Sequence, residues 1–305
     1  MKFRHLGNSG LRVSQIGLGC NVFGPMDNDR AKSVIHKAID SGINFFDTAD
    51  VYGGRGKSEE QIGNLLGDRR KEIVLATKFA MPMSDDGAKR GGSRRYVMQA
   101  VEDSLRRLKT DWIDLYQMHA YDPGTPIEET LRALDDLVRQ GKVRYIGCSN
   151  HPAWRVVESA WTAKTNSLNP FISTQNGYSL INRAIEADII PAAEAYGLGV
   201  IPYSPLAGGL LSGKYKKGED APAGTRLSRP GYGARVLSDK NLDRVEKLRG
   251  WAAERGKTTL EVAFAWLLSH KAISSVIAGA TLPEQIEQNV AAGDYELTAD
   301  RKSVV

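Results

Sequence analysis

Short apolar runs recur eight times along the chain, and most are followed by a stretch whose apolar residues repeat with helical spacing. The runs cover residues 16–18, 43–47, 73–78, 113–119, 143–149, 171–175, 199–203 and 275–277. Helical stretches follow at 29–41, 58–66, 93–108, 126–140, 152–164, 184–196 and 283–290. In the fourth of these, Ile127, Leu131, Leu134, Leu137 and Val138 form one stripe, closed by Gly141. Runs that are apolar throughout fit strands buried on both faces, and strand–helix alternation delivers each new strand parallel to the last. Eight such units close into an α/β parallel barrel, the (β/α)8 TIM barrel. Ahead of it, two extended segments flank the turn residues 7–10 and predict an N-terminal β-hairpin. Additional helices at 241–255 and 259–268, with a long loop at 207–238, fall between strands seven and eight. No linker, repeat or low-complexity tract divides residues 1–305, which predicts a single domain.

A doubly wound sheet is the rival architecture. Its dinucleotide fingerprint belongs at the first strand, but the run Gly17-Leu18-Gly19 reaches its third glycine only at Gly24, two positions late. Gly56-Lys57-Ser58 resembles the tail of a P-loop, yet Val51 stands where its first glycine belongs. No apolar run approaches the roughly 18 residues of a membrane span, and the N-terminus lacks the apolar core of a signal peptide. A cytoplasmic protein without a membrane role is expected. Cys20 and Cys148 fit no metal or redox spacing and are expected as reduced core residues; no metal site is expected. The formal charge of +5 is spread among acidic residues, which argues against nucleic acid as a partner. One basic excess, Lys214, Lys216, Lys217, Arg226 and Arg229, lies in the long loop and suits either a solvated surface or a clamp for a phosphorylated ligand.

The chemistry gathers where strands end. Asp47 closes the second run, and Tyr52 follows it before a turn at Gly53-Gly54-Arg55-Gly56. Ser58-Glu59-Glu60-Gln61 then carries a capping-box pattern that predicts a helix start. The third run ends on Lys78 and the fourth on His119. In a barrel these ends share one face, where active sites are built. A phenol with its ordinary pKa of about 10 is a poor acid at neutral pH, and an adjacent ammonium lowers that value by favouring phenolate. Lys78 can supply the ammonium, Asp47 can hold it, and His119 can orient a carbonyl oxygen. Each residue alone has a plainer role, as a cap, a packed ring or a surface charge. Together they suit protonation of a carbonyl as hydride arrives, and a protein has no hydride donor of its own.

Taken as a set, Phe46 to Gly53, the strand ending in Lys78, Leu115 to His119, Ile146 to Asn150 and Ile201 to Leu206 resemble the aldo-keto reductase superfamily. The similarity runs from the hairpin to Thr281, and the Tyr203-Ser204-Pro205-Leu206 run resembles the branch holding bacterial general reductases and potassium channel β subunits. The resemblance implies reduction of aldehydes or ketones, with NADPH (NADP) as cofactor, a small carbonyl compound as partner, and Tyr52, Lys78, Asp47 and His119 as the catalytic set. It assigns Ser149, Asn150 and Gln175 to the nicotinamide carboxamide and Tyr203 to stacking on its ring. Ser204, Leu206 and Gly208 fall along the pyrophosphate, with Lys214 and Arg226 near phosphate. Gly279, Thr281, Gln285, Gln288 and Asn289 fall at the adenosine end, where Thr281 and Glu284 also suit a helix start. The chain departs from branches that carry arginine at the position of Gln285 and glutamate at Gln288, which leaves NADP preference to Lys214, Arg226 and Thr281. Substrate selectivity is expected from loops 79–92 and 207–238, with Phe79, Met81, Met83 and Tyr232 as apolar contacts. Two other functions fit the residues: a regulatory subunit using its bound cofactor as a redox sensor, and an aldolase with Lys78 as Schiff-base nucleophile. Substrate and oligomeric state stay open.

Overall fold

The structure, a computed structural model, describes residues 1–229, 231, 233 and 236–304; Tyr232 lies outside the described residues. Strands β1 (Phe3–His5) and β2 (Arg12–Ser14) form the expected antiparallel hairpin. The barrel is built from β3 (Ile16–Gly19), β4 (Phe45–Asp47), β5 (Val74–Phe79), β6 (Ile113–Met118), β7 (Val143–Ser149), β8 (Phe171–Gly177), β9 (Gly199–Tyr203) and β10 (Val276–Gly279). All neighbouring pairs are parallel, in the order β10-β3-β4-β5-β6-β7-β8-β9. The remaining gap is closed by a bridge between Val200 and Ile273, where the Val200 amide reaches the Ala272 carbonyl at 2.8 Å.

Helices surround this sheet: α1 (Asn28–Asp40), the short α2 (Tyr52–Arg55), α3 (Lys57–Leu66), α4 (Arg94–Leu108), α5 (Ile127–Arg139) and α6 (Ala153–Thr165). After them come α7 (Ile189–Tyr196), α8 (Asp239–Ala253), α9 (Thr259–Leu268), α10 (Pro283–Gly293) and α11 (Ala299–Val304). On α5, four of the five expected stripe residues, Ile127, Leu131, Leu134 and Leu137, are buried, and Val138 is half-buried. Each such side chain stabilises the fold by about 1.5–3 kcal/mol relative to exposure.

Inside the barrel, Phe45, Ala76, Leu115, Ile201 and Ile277 meet Leu6 and Val13 of the hairpin. The hairpin thus plugs the N-terminal end, and the Arg4 guanidinium fastens it to the carbonyls of Leu268 and Ile273 at 2.7 and 2.8 Å. A cavity of about 460 Å3 lies at this end against Arg4, His5 and His270, remote in the fold from the strand ends that carry Lys78 and His119. The chemistry of the side chains, not cavity size, marks the candidate site. No helix among the described residues is long and apolar enough to cross a membrane.

Several local expectations change in the fold. The capping box at 58–61 does not form: Gly56 is the N-cap of α3 without a side-chain bond. Ser58 is instead drawn inward, its hydroxyl donating to the Cys20 carbonyl at 2.8 Å and lying 2.9 Å from the Thr48 hydroxyl. The helix expected over 184–196 divides into a single turn, Ala184–Glu186, and α7. Pro191 explains the break, because its ring excludes a helix continuing from the preceding turn, and the Asp188 side chain caps the new start. Loop 207–238 gains turns at Ala207–Ser212 and Arg226–Ser228, where Leu210, Leu211 and Leu227 pack with Leu242 and Val245 of α8.

Candidate active site

Four strand ends converge on Asp47. It is the last residue of β4 and 2% exposed, and its Oδ2 accepts from the Lys78 ammonium of β5 at 2.5 Å. Its Oδ1 accepts from the side-chain amides of Gln117 on β6 and Gln175 on β8, both at 2.9 Å. Lys78, itself fully buried, also donates to the Thr48 carbonyl at 2.9 Å and reaches the Tyr52 hydroxyl at 3.5 Å. A buried ammonium without a counter-charge tends to lose its proton. Burial opposes the charge on Lys78, but Asp47 and then Tyr52 outweigh it, and its pKa is raised.

Tyr52 opens α2, where Gly53 at φ 71° turns the chain so tightly that a Cβ there would lie 2.8 Å from the Phe23 carbonyl oxygen. The ring of His119, the residue just past β6, meets the Tyr52 ring edge-on with centroids 5.5 Å apart. Burial and then Lys78 hold His119 down at about 3, so its imidazole is neutral over the physiological range. The sequence led to a Tyr52 acidified by Lys78. Instead burial raises its pKa above the ordinary phenol value, and the pull of Lys78 only offsets part of that rise.

The residues expected at the cofactor divide into three groups. Around the barrel mouth, Ser149 donates to the Gln175 carbonyl at 2.9 Å, and the Asn150 amide reaches the His119 carbonyl at 3.0 Å. The Tyr203 hydroxyl donates to Asn150 at 2.9 Å. The Gln175 side-chain amide donates to Asp47 at 2.9 Å and to the Gln117 side-chain oxygen at 3.3 Å. Along the next turn, Ser204, Leu206 and Gly208 are followed by Lys214, whose ammonium stands 5.5 Å from the Tyr215 ring centre. Arg226 lies on its own turn in the same loop, whereas Lys216 and Lys217 face outward in ion pairs with Glu219 and Asp243. At the far end, Gly279 closes β10 and Thr281 precedes α10, with Gln288 exposed and Asn289 buried on that helix. The expected Thr281–Glu284 cap is absent, because Leu282 is the N-cap; Gln285 reaches back to the Thr281 amide at 2.7 Å instead.

These amides, hydroxyls and cations form a donor set that fits a nicotinamide dinucleotide: hydrogen-bonding groups beside the tetrad, and Lys214 by the following turn. Substrate contacts need one correction. Phe79 is fully buried and stacked on Tyr116 at 4.8 Å, so it belongs to the core, while Met81 and Met83 are half-buried in their loop. Gln117 and Arg30 are two residues that the sequence pattern did not single out. The first was a polar residue within an apolar strand, two before His119, which is a readable signal. Arg30 of α1 donates to the Thr281 carbonyl at 2.5 Å across 251 residues, and nothing local announces that contact. Cys20 and Cys148 are buried and free, as expected.

A closed parallel barrel with an acid, a phenol, an ammonium and an imidazole at its strand C-termini has the architecture of a barrel enzyme. Residues 15–303 match the Aldo/keto reductase family, and the chain belongs to that family. It is 39% identical to an uncharacterized oxidoreductase, YrpG, of Bacillus subtilis, over 97% of this chain and 92% of that protein. It is 38% identical to a probable voltage-gated potassium channel subunit beta of Oryza sativa, over 96% of this chain and 92% of the relative. With L-glyceraldehyde 3-phosphate reductase of Escherichia coli the identity is 33%, over 96% of this chain and 87% of the relative. Family and relatives make the chain an oxidoreductase whose general chemistry is carbonyl reduction.

Proposed function

We propose that this protein reduces an aldehyde or ketone to the alcohol, using NADPH and taking the proton from Tyr52. The observation that carries this reading is the position of Lys78, buried between the Asp47 carboxylate and the Tyr52 hydroxyl. A nicotinamide supplies the hydride when bound. Tyr52, kept protonated by burial, holds the proton until negative charge develops on the carbonyl oxygen; Lys78 then favours the phenolate left behind. Asp47, fixed by two amide donors, keeps the ammonium in register with the phenol. His119, neutral, acts through hydrogen bonding rather than charge. A charged Lys78 argues against the Schiff-base alternative, which needs a neutral amine.

The test is Tyr52→Phe. Carbonyl reduction should fall by about 10²–10⁴-fold, while quenching of tryptophan fluorescence on NADPH titration is retained; full activity in the variant overturns the mechanism. The same titration with NADH measures cofactor preference, with tighter NADPH binding expected. The reductase named for L-glyceraldehyde 3-phosphate makes short phosphorylated aldehydes the first substrates to assay. The channel-subunit relatives favour a second reading, a redox-sensing regulatory subunit, supported by co-purification with a partner alongside negligible turnover on a carbonyl panel.

A further inference from the structure

Next to the tetrad lies a second buried polar cluster that the reaction above does not use. Asp50 is 1% exposed, two residues before Tyr52, and its amide donates to the Lys78 carbonyl at 3.1 Å. Its carboxyl is poorly satisfied: Oδ2 is 3.5 Å from the Tyr96 hydroxyl, and Oδ1 has no partner among the described residues. Glu59 of α3, fully buried, takes Arg107 of α4 on one oxygen at 2.7 Å and the Thr77 hydroxyl on the other at 2.5 Å. Two carboxyl groups therefore share a water-excluded space with one guanidinium, and that guanidinium is committed to Glu59. Leaving the second carboxyl charged and unpaired is strongly unfavourable.

The other titratable groups around Asp50 do not remove the imbalance. Lys78 of β5 is engaged by Asp47. Tyr96 of α4 and Tyr116 of β6 are neutral phenols, and the buried Tyr116 hydroxyl has no partner among the described residues. Asp103, also on α4, pairs with Arg106. Burial and then the charge of Glu59 push the Asp50 carboxyl up to about 8, with Arg107 and Lys78 pulling the other way.

We propose that Asp50 is a positioning residue carried as the neutral acid, and that its ionisation in alkaline solution turns down proton donation by Tyr52. The step is transfer of one proton from the Asp50 carboxyl to hydroxide, giving water and a carboxylate. That carboxylate adds a negative charge two residues from Tyr52, on a backbone whose Asp50 amide is bonded to the Lys78 carbonyl, and a nearby negative charge disfavours the Tyr52 phenolate. The inference rests on Tyr52 as proton donor.

Two measurements test it. The first is kcat for carbonyl reduction by the holoenzyme from neutral to alkaline pH. The wild type should show a descending step near pH 8, Asp50→Asn should lack it whatever its plateau, and Glu59→Gln should move it to lower pH by removing the like charge. The second needs no turnover: thermal unfolding against pH. The folded-state pKa of Asp50 is raised above its ordinary 3.8, so its contribution to stability is complete below that value and lost as pH rises through about 8. Asp50→Asn should remove that slope. Melting profiles of the same shape in both proteins overturn the neutral-acid assignment, and a step at the same pH in both kinetic profiles overturns the link to Tyr52. Full reduction by Tyr52→Phe, with the melting slope still lost in Asp50→Asn, refutes the donor role of Tyr52 and leaves the neutral acid standing.

Discussion

Lys78→Met removes one half of a fully buried ion pair and is the most informative single change. Asp47 would keep its two amide donors, Gln117 and Gln175, but lose its counter-charge and its shortest hydrogen bond. Removing one partner of a buried pair costs about 3–5 kcal/mol; with two of three donors retained, we expect the lower end, about 3 kcal/mol. Against a stability of about 5–15 kcal/mol, the variant should still fold. Adding Asp47→Asn should restore most of the loss, because the amide oxygen can keep both glutamine donors while no charge remains. Turnover should not return, since nothing favours the Tyr52 phenolate, and kcat should stay at least about 100-fold down. Urea unfolding of the wild type, both single variants and the double variant gives the coupling between the sites, with single-turnover reduction alongside. A Lys78→Met protein within about 0.5 kcal/mol of wild type, or strictly additive losses, would refute the reasoning.

Two further changes probe the scaffold and the cofactor. Gly63 of α3 faces the end of α4, where a Cβ would lie 2.4 Å from the Arg107 carbonyl oxygen and 2.6 Å from the Leu108 carbonyl carbon. Gly63→Ala should therefore destabilise by about 1–3 kcal/mol in urea unfolding, and an unchanged midpoint would mean that α3 and α4 part freely. Arg30 brings a cation to Thr281 where Gln285 is neutral, so Arg30→Ala should weaken NADPH binding more than NADH binding in fluorescence titrations. Equal losses for both would place Arg30 in packing rather than in cofactor choice.

The amino-acid sequence by itself determined the order of strands and helices, because each depends on a local periodicity: apolar runs for buried strands, a 3.6-residue stripe for helices such as α5. It also determined which residues stand at strand ends, and so that Asp47, Tyr52, Lys78 and His119 would share one face once the barrel closed. Tertiary structure alone decided how that face is wired. Gln117 and Gln175 meet Asp47 from strands 70 and 128 residues away. Ser58 leaves its cap for Cys20 because the packed barrel offers a buried carbonyl that the isolated helix start lacks. The rise in the Tyr52 pKa and the imbalance around Asp50 have the same origin: solvation of a charge depends on everything that excludes water from it, and a local pattern carries no record of that.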